Sequence, residues 1–154
     1  MSAENQAGMS NERPAIPIGV LSSVALAYGT ASLIHHVHNA EFLDAYPNMP
    51  TWLSRALVYA AWCSLTAVGV GGVALVWRRW QRAGLSVLGV YGAFGLDGLG
   101  HYAAAPVSAH TVTMNLTIWL EVTTGLLLLA VVATVMRRLS REISTVHVTS
   151  RHQV

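Results

Sequence analysis

Four long apolar stretches decide what this chain can become. At about 16–37, 52–77, 85–104 and 111–136 the sequence runs nearly free of charge, and a bilayer core of roughly 30 Å takes about 20 such residues as a helix. Within lipid the backbone must satisfy its own hydrogen bonds, which a helix does unaided. The expected fold is therefore all-α, an integral membrane four-helix bundle. Pro47, Pro50 and Pro106 punctuate the connections, since the residue before proline is biased away from helix. With 53% hydrophobic and only 10% charged side chains, the chain is too apolar for an ordinary soluble domain.

The unit expected to fold is 16–137. Residues 1–15 are polar and lack the basic start of a secretory signal, and the apolar stretch after them is long enough to span. They are expected to be a disordered cytoplasmic segment ahead of an uncleaved first helix. Residues 138–154 are expected to be a basic cytoplasmic tail, unstructured from about 143 onward, with His147 and His152 solvated.

All nine basic residues are arginines. Arg78, Arg79 and Arg82 fill the tight second connection, and Arg137, Arg138 and Arg141 follow the fourth stretch. The positive-inside rule puts both groups, and so both termini, in the cytoplasm of a multi-pass inner-membrane protein. Because these arginines flank apolar stretches, they read as topology and exclude nucleic acid as a partner. Trp52, Trp77 and Trp80 read as interfacial anchors. Cys63 is the only cysteine, so neither a disulfide nor a thiolate cluster is available. Any metal site must be built from imidazole and carboxylate.

The polar residues near the spans need a reason, because an ionisable group at membrane depth is costly unless paired or wet. They gather toward the outward side. His35, His36 and His38 close the first span, followed by Glu41 and Asp44; Asp97 and His101 lie in the third, and His110 and Glu121 in the fourth. On a helix Asp97 and His101, four apart, share a face about 6 Å from each other, as two ligands of one ion would. His110, Met114, Thr117, Glu121 and Thr124 form one stripe facing the bundle interior. His110 and Glu121 are about 16 Å apart along that helix and cannot share an ion. The expected arrangement is a column with His101 and His110 at the mouth and Asp97 and Glu121 below.

On the first span His35 and His38 are favoured over His36, because adjacent residues face different sides. The His38-to-Glu41 step is similar in spacing to the Glu-x-x-His pairs of di-metal bundles. Arg55, Tyr59, Trp62 and Thr66 stripe the second span. Arg55 and Tyr59 are candidate contacts for an anionic substrate group, although a salt bridge from Arg55 to Glu41 or Asp44 is the plainer reading. Glycines 89, 92, 95 and 98 recur every third residue, a pattern for close helix packing.

Two local patterns resemble known families. The run Ile34-His35-His36-Val37-His38-Asn39-Ala40-Glu41-Phe42, followed by Tyr46-Pro47-Asn48-Met49-Pro50-Thr51-Trp52, resembles the His-x-x-Glu-Glu signature of a family of bacterial membrane proteins named for that motif. Phe42 stands where the family has its second acid. This resemblance implies a polar membrane site and assigns no activity. The order Asp97, His101, His110 is similar to the aspartate and two-histidine copper triad in the C subunit of particulate methane and ammonia monooxygenases, with a shorter gap between the histidines. It implies copper ahead of zinc or iron.

The leading expectation is a transition metal, copper, zinc or iron, held by His35, His38, Asp97, His101 and His110, with Glu121 or Glu41 as general base of a metal-dependent enzyme acting on a small or lipophilic substrate. A proton or cation relay along His101, Asp97 and Glu121 is the first alternative, one that a homo-oligomer would serve better than a single chain. Bis-histidine haem b, or an accessory subunit of a larger membrane complex, is the other.

Overall fold

The computed structural model describes the backbone of residues 17–151, with side chains as far as Arg141. The segment 1–15 and His152 lie outside the described residues, as does the side chain of His147. Every regular element among the described residues is helical. These are α1 (Ile18–Glu41), α2 (Arg55–Trp77), α3 (Gln81–Ala93), α4 (Gly100–Ala104) and α5 (Val112–Arg151). Four helices are long and apolar enough to cross a bilayer: α1, α2, the combined run Gln81–Ala104, and α5 as far as Arg141. That is the architecture of a multi-pass membrane protein.

Chain chemistry explains where the helices begin and end. α2 starts at Ser54, whose hydroxyl accepts from the Leu57 N–H at 3.3 Å and so satisfies one of the orphan donors of a first turn. α1 runs one turn past its apolar stretch, closing with the Phe42 N–H on the His38 carbonyl at 3.0 Å, so His38 and Glu41 are helical. α5 does not stop at its arginines but continues through Arg151, where an unstructured tail was expected. No proline or glycine lies between Leu126 and Arg151 to end it.

The third span is the one that departs from a plain helix. After Ala93 it tightens into a 3₁₀ run over Phe94–Leu99 before α4. At three residues per turn the glycine spacing keeps one small face against α5. A Cβ on Gly95 would stand 3.0 Å from the Gly125 Cα, and one on Gly125 only 2.8 Å from the Gly92 carbonyl oxygen. The two backbones therefore cross at a distance only glycine allows, which matters in lipid, where packing replaces hydrophobic burial as the force between helices.

Around the bundle α1 packs on α2 and α5, and α3 packs on α2 and α5, closing a ring of four. Toward the arginine-bearing end the interior is aliphatic, with Leu21, Leu85, Leu88, Leu128, Val132 and Val135 around the buried Tyr28 and Tyr91. Toward the other end, where the two longer loops lie, it becomes polar.

Candidate functional site

Glu121 is the deepest member of that polar interior. It lies nine residues into α5, about 14 Å along the axis, and is 2% exposed. Of the stripe expected on this helix, Met114 and Thr117 precede it on the same buried inward face and Thr124 is half-buried, whereas His110, also buried, lies ahead of α5 in extended backbone rather than on the helix. Two adjacent histidines of α1 meet its carboxylate. His35 Nε2 stands 3.6 Å from Oε2 and His36 Nδ1 3.7 Å from Oε1. Neighbouring helical residues point about 100° apart, so both reach one group only because that group sits in the seam between α1 and α5. Gly98 lies beside this carboxylate, and a Cβ there would stand 3.4 Å from Oε2, in ordinary van der Waals contact.

The histidines are held from behind. His36 Nδ1 donates to the Ser32 carbonyl at 2.9 Å. His35 Nδ1 lies 3.4 Å from the Thr117 hydroxyl, which itself donates to the Met114 carbonyl at 3.0 Å. Above His35 comes His101 of α4, with ring centroids 5.3 Å apart, and above that His110, at 6.1 Å from His101. His101 Nε2 is 3.4 Å from the Asn39 amide nitrogen. Four imidazoles thus form a chain from Glu121 toward the loops.

Tyr46, from the loop after α1, seals this chain. Its ring lies 4.9 Å from His101 and 6.4 Å from His110, and its hydroxyl is hydrogen-bonded to His38 Nδ1 at 2.9 Å. Burial pushes the phenol up to about 12, helped by the Glu121 charge and opposed by the Thr117 hydroxyl, so it stays protonated at any physiological pH. The loops are fixed by amides. Asn48 donates to the Ala104 carbonyl at 2.9 Å. Asn115 donates to the Val107 and His110 carbonyls at 3.3 and 3.2 Å and accepts from the Tyr102 hydroxyl at 2.7 Å.

His110 is the most telling member. It is 6% exposed, its Nδ1 donates to the Pro106 carbonyl at 3.1 Å, and its Nε2 is buried with no hydrogen-bond partner. The carbonyl contact assigns the proton to Nδ1, leaving a bare lone pair on Nε2. Histidines that ligate metals are typically held this way, by a backbone carbonyl behind the ring.

Of the residues expected to form a site, the structure brings together His35, His101, His110 and Glu121, with His38 joined at the rim through Tyr46. Asp97 is exposed, and no ion pair or hydrogen bond ties it to the cluster, although its charge reaches His36, His101 and Glu121. The 3₁₀ run contributes, because two steps at about 120° and two at about 100° leave Asp97 and His101 about 80° apart, against about 40° on an uninterrupted α-helix. Glu41, Arg55 and Tyr59 form a separate exposed group. Arg55 pairs with Glu41 at 3.5 Å, and the Tyr59 hydroxyl donates to it at 2.9 Å.

His36, Asn39 and Tyr46 belong to the cluster without having been singled out. For His36 the available signal was Glu121 itself, a carboxylate with two oxygens and room for two imidazoles. Among the described residues no three His, Cys, Asp or Glu side chains are already gathered around one metal position. Comparison with family models, curated proteins and solved structures returns no match. The two local resemblances rest on the quoted residues alone.

Proposed function

We propose that the histidine cluster binds a transition-metal ion from the non-cytoplasmic side of the membrane, with His35, His101 and His110 as imidazole donors and Glu121 as the carboxylate beneath them. The observation that carries this reading is the buried, unpartnered Nε2 of His110, with its Nδ1 tied to a carbonyl. An unsatisfied buried acceptor costs about 1–3 kcal/mol, and a bound ion removes that cost. Two imidazoles sharing an ion at about 2.1 Å bring their ring centroids to roughly 5 Å. The neighbouring rings here are 5.3 and 6.1 Å apart, so binding includes a small closing movement rather than occupation of a finished shell. The donor set of nitrogen and oxygen suits zinc, iron or copper. The enzymatic extension of this reading has Glu121 as general base for a small or lipophilic substrate.

The proton-relay reading draws on the same imidazole chain, but the floor speaks against it. Beyond Glu121 and Tyr28 the interior is the aliphatic core of Leu21, Leu85, Leu88 and Leu128, which carries no proton. A closed floor fits a binding pocket better than a conduit. Haem is also less suited, because the rings of His35, His101, His110 and Tyr46 rest on one another where a porphyrin needs a flat slot.

Metal analysis of protein purified without an affinity-tag metal tests the proposal. We expect close to one zinc, copper or iron per chain, lost in His101→Ala and His110→Ala, with circular dichroism reporting retained helix. Stoichiometry near zero in the wild type, or unchanged in both variants, sinks it.

A further inference from the structure

At the end of the bundle away from the histidines, α1 and α5 part to leave a groove of about 270 Å³. Pro17 and Val20 form one wall and Ala130, Val131 and Thr134 the other, with Arg138 closing it toward the helix ends. From Ala130 to Arg138 the α5 wall is about 12 Å long. The Thr134 hydroxyl is already bonded to the Ala130 carbonyl at 2.8 Å, so the groove short of Arg138 behaves as an apolar surface.

Arg138 is exposed and makes no ion pair with a described residue. The described carboxylates, Glu41, Asp44, Asp97 and Glu121, lie toward the opposite end, while Arg78, Arg79, Arg82 and Arg137 share this one. Among the described side chains, positive charge is therefore uncompensated where the spans leave the hydrocarbon. Each half of the groove excludes one kind of occupant. A bare alkyl chain covers the apolar wall and leaves the guanidinium without an anion, whereas a soluble anion meets the guanidinium and leaves the wall uncovered. A phospholipid matches both, because its phosphate lies at the depth where a spanning helix ends and its chains run inward from there. The guanidinium fork also suits paired phosphate oxygens. A choline headgroup brings its own cation into this arginine-rich end, and a glycerol headgroup does not.

We propose that the groove binds a phospholipid of net negative charge from the leaflet at the arginine-bearing end, its phosphate on Arg138 and one acyl chain along 130–135. The site is separate from the histidine cluster and stands whether or not a metal binds there. Native mass spectrometry of the full chain, released from detergent and titrated with dioleoyl phosphatidylglycerol or dioleoyl phosphatidylcholine, tests it. The first phosphatidylglycerol is expected to bind at least fivefold more tightly than phosphatidylcholine, and glycerol 3-phosphate, which has no chain, is expected not to displace it. Arg138→Gln is expected to weaken the first phosphatidylglycerol about fivefold, the worth of one arginine at an anionic lipid surface. Arg82→Gln, an exposed arginine at the same end and outside the groove, is expected to change it less than twofold. Ala130→Trp fills the groove from its exposed edge and is expected to weaken it tenfold or more. Equal binding of the two lipids, or no first-lipid site because another part of the chain fills the groove, overturns the proposal. So do equal losses in Arg138→Gln and Arg82→Gln, an Ala130→Trp protein with wild-type affinity, or displacement by glycerol 3-phosphate.

Discussion

Glu121 concentrates the energetics of the site in one side chain. Its two oxygens face different imidazoles at 3.6 and 3.7 Å, so truncation removes the carboxylate facing the buried His35 and the half-buried His36 and opens a cavity. Glu121→Ala is expected to cost roughly 2–4 kcal/mol, read as a lower melting temperature in detergent. Glu121→Gln keeps the volume and one acceptor oxygen, and its cost is expected to be about 1 kcal/mol. It removes the anionic donor, however, so metal content falls in both variants while stability separates them. A Gln variant that retains the wild-type metal content removes Glu121 from the ligand set. The inward face of α5 was legible from spacing alone, because a 3.6-residue period fixes that Met114, Thr117 and Glu121 share a side, while His110 joins them from the extended segment ahead of the helix. His36 was not, because the rotation of α1 relative to α5 decides whether a neighbour of His35 meets the carboxylate, and one helix's periodicity carries no information about another's rotation.

At the scale of elements, the four spans could be read from the sequence because lipid leaves the backbone little alternative to a helix. The limits moved where local chemistry overrode hydropathy, as at the extra turn that carries His38 and at the uninterrupted α5. The 3₁₀ run at Phe94–Leu99 was hidden, since Asp97 and His101 are four apart in either conformation and only the winding of the chain parts them. The glycines that accompany this run give a graded test. Gly125→Ala puts a methyl 2.8 Å from the Gly92 carbonyl oxygen, and Gly95→Ala puts one 3.0 Å from both the Gly125 Cα and the Tyr28 ring. Each is expected to destabilise by about 1–3 kcal/mol, with Gly125 the worse because its backbone obstacle is closer. A Cβ on Gly71 meets nothing within 4 Å, so Gly71→Ala is expected to be neutral or to stabilise by up to about 1 kcal/mol, through helix propensity. Thermal melts of the three variants in one detergent check the order; equal melting temperatures contradict the crossing.

For the whole molecule, charge is uneven along the bundle axis, with Arg55, paired to Glu41, as the arginine at the acidic end among the described residues. Arg78, Arg79, Arg82, Arg137, Arg138 and Arg141 lie at one end, while Glu41, Asp44, Asp97 and Glu121 lie toward the other with the histidines. The cationic end is expected to stay in the cytoplasm, because translocating arginine against the bias that sets topology is unfavourable, and the pocket then opens outward. Cys63 is the only native thiol, so a Cys63→Ala background reports on single introduced cysteines. Asp44 and Arg82 are both exposed, at opposite ends of the bundle, and neither is assigned to the site. In intact cells a membrane-impermeant maleimide is expected to label Asp44→Cys and to reach Arg82→Cys only after permeabilisation. The reverse pattern turns the molecule over. The pocket would then open to the cytoplasm and draw its metal from the buffered cytosolic pool, and the arginines would need a role other than orientation.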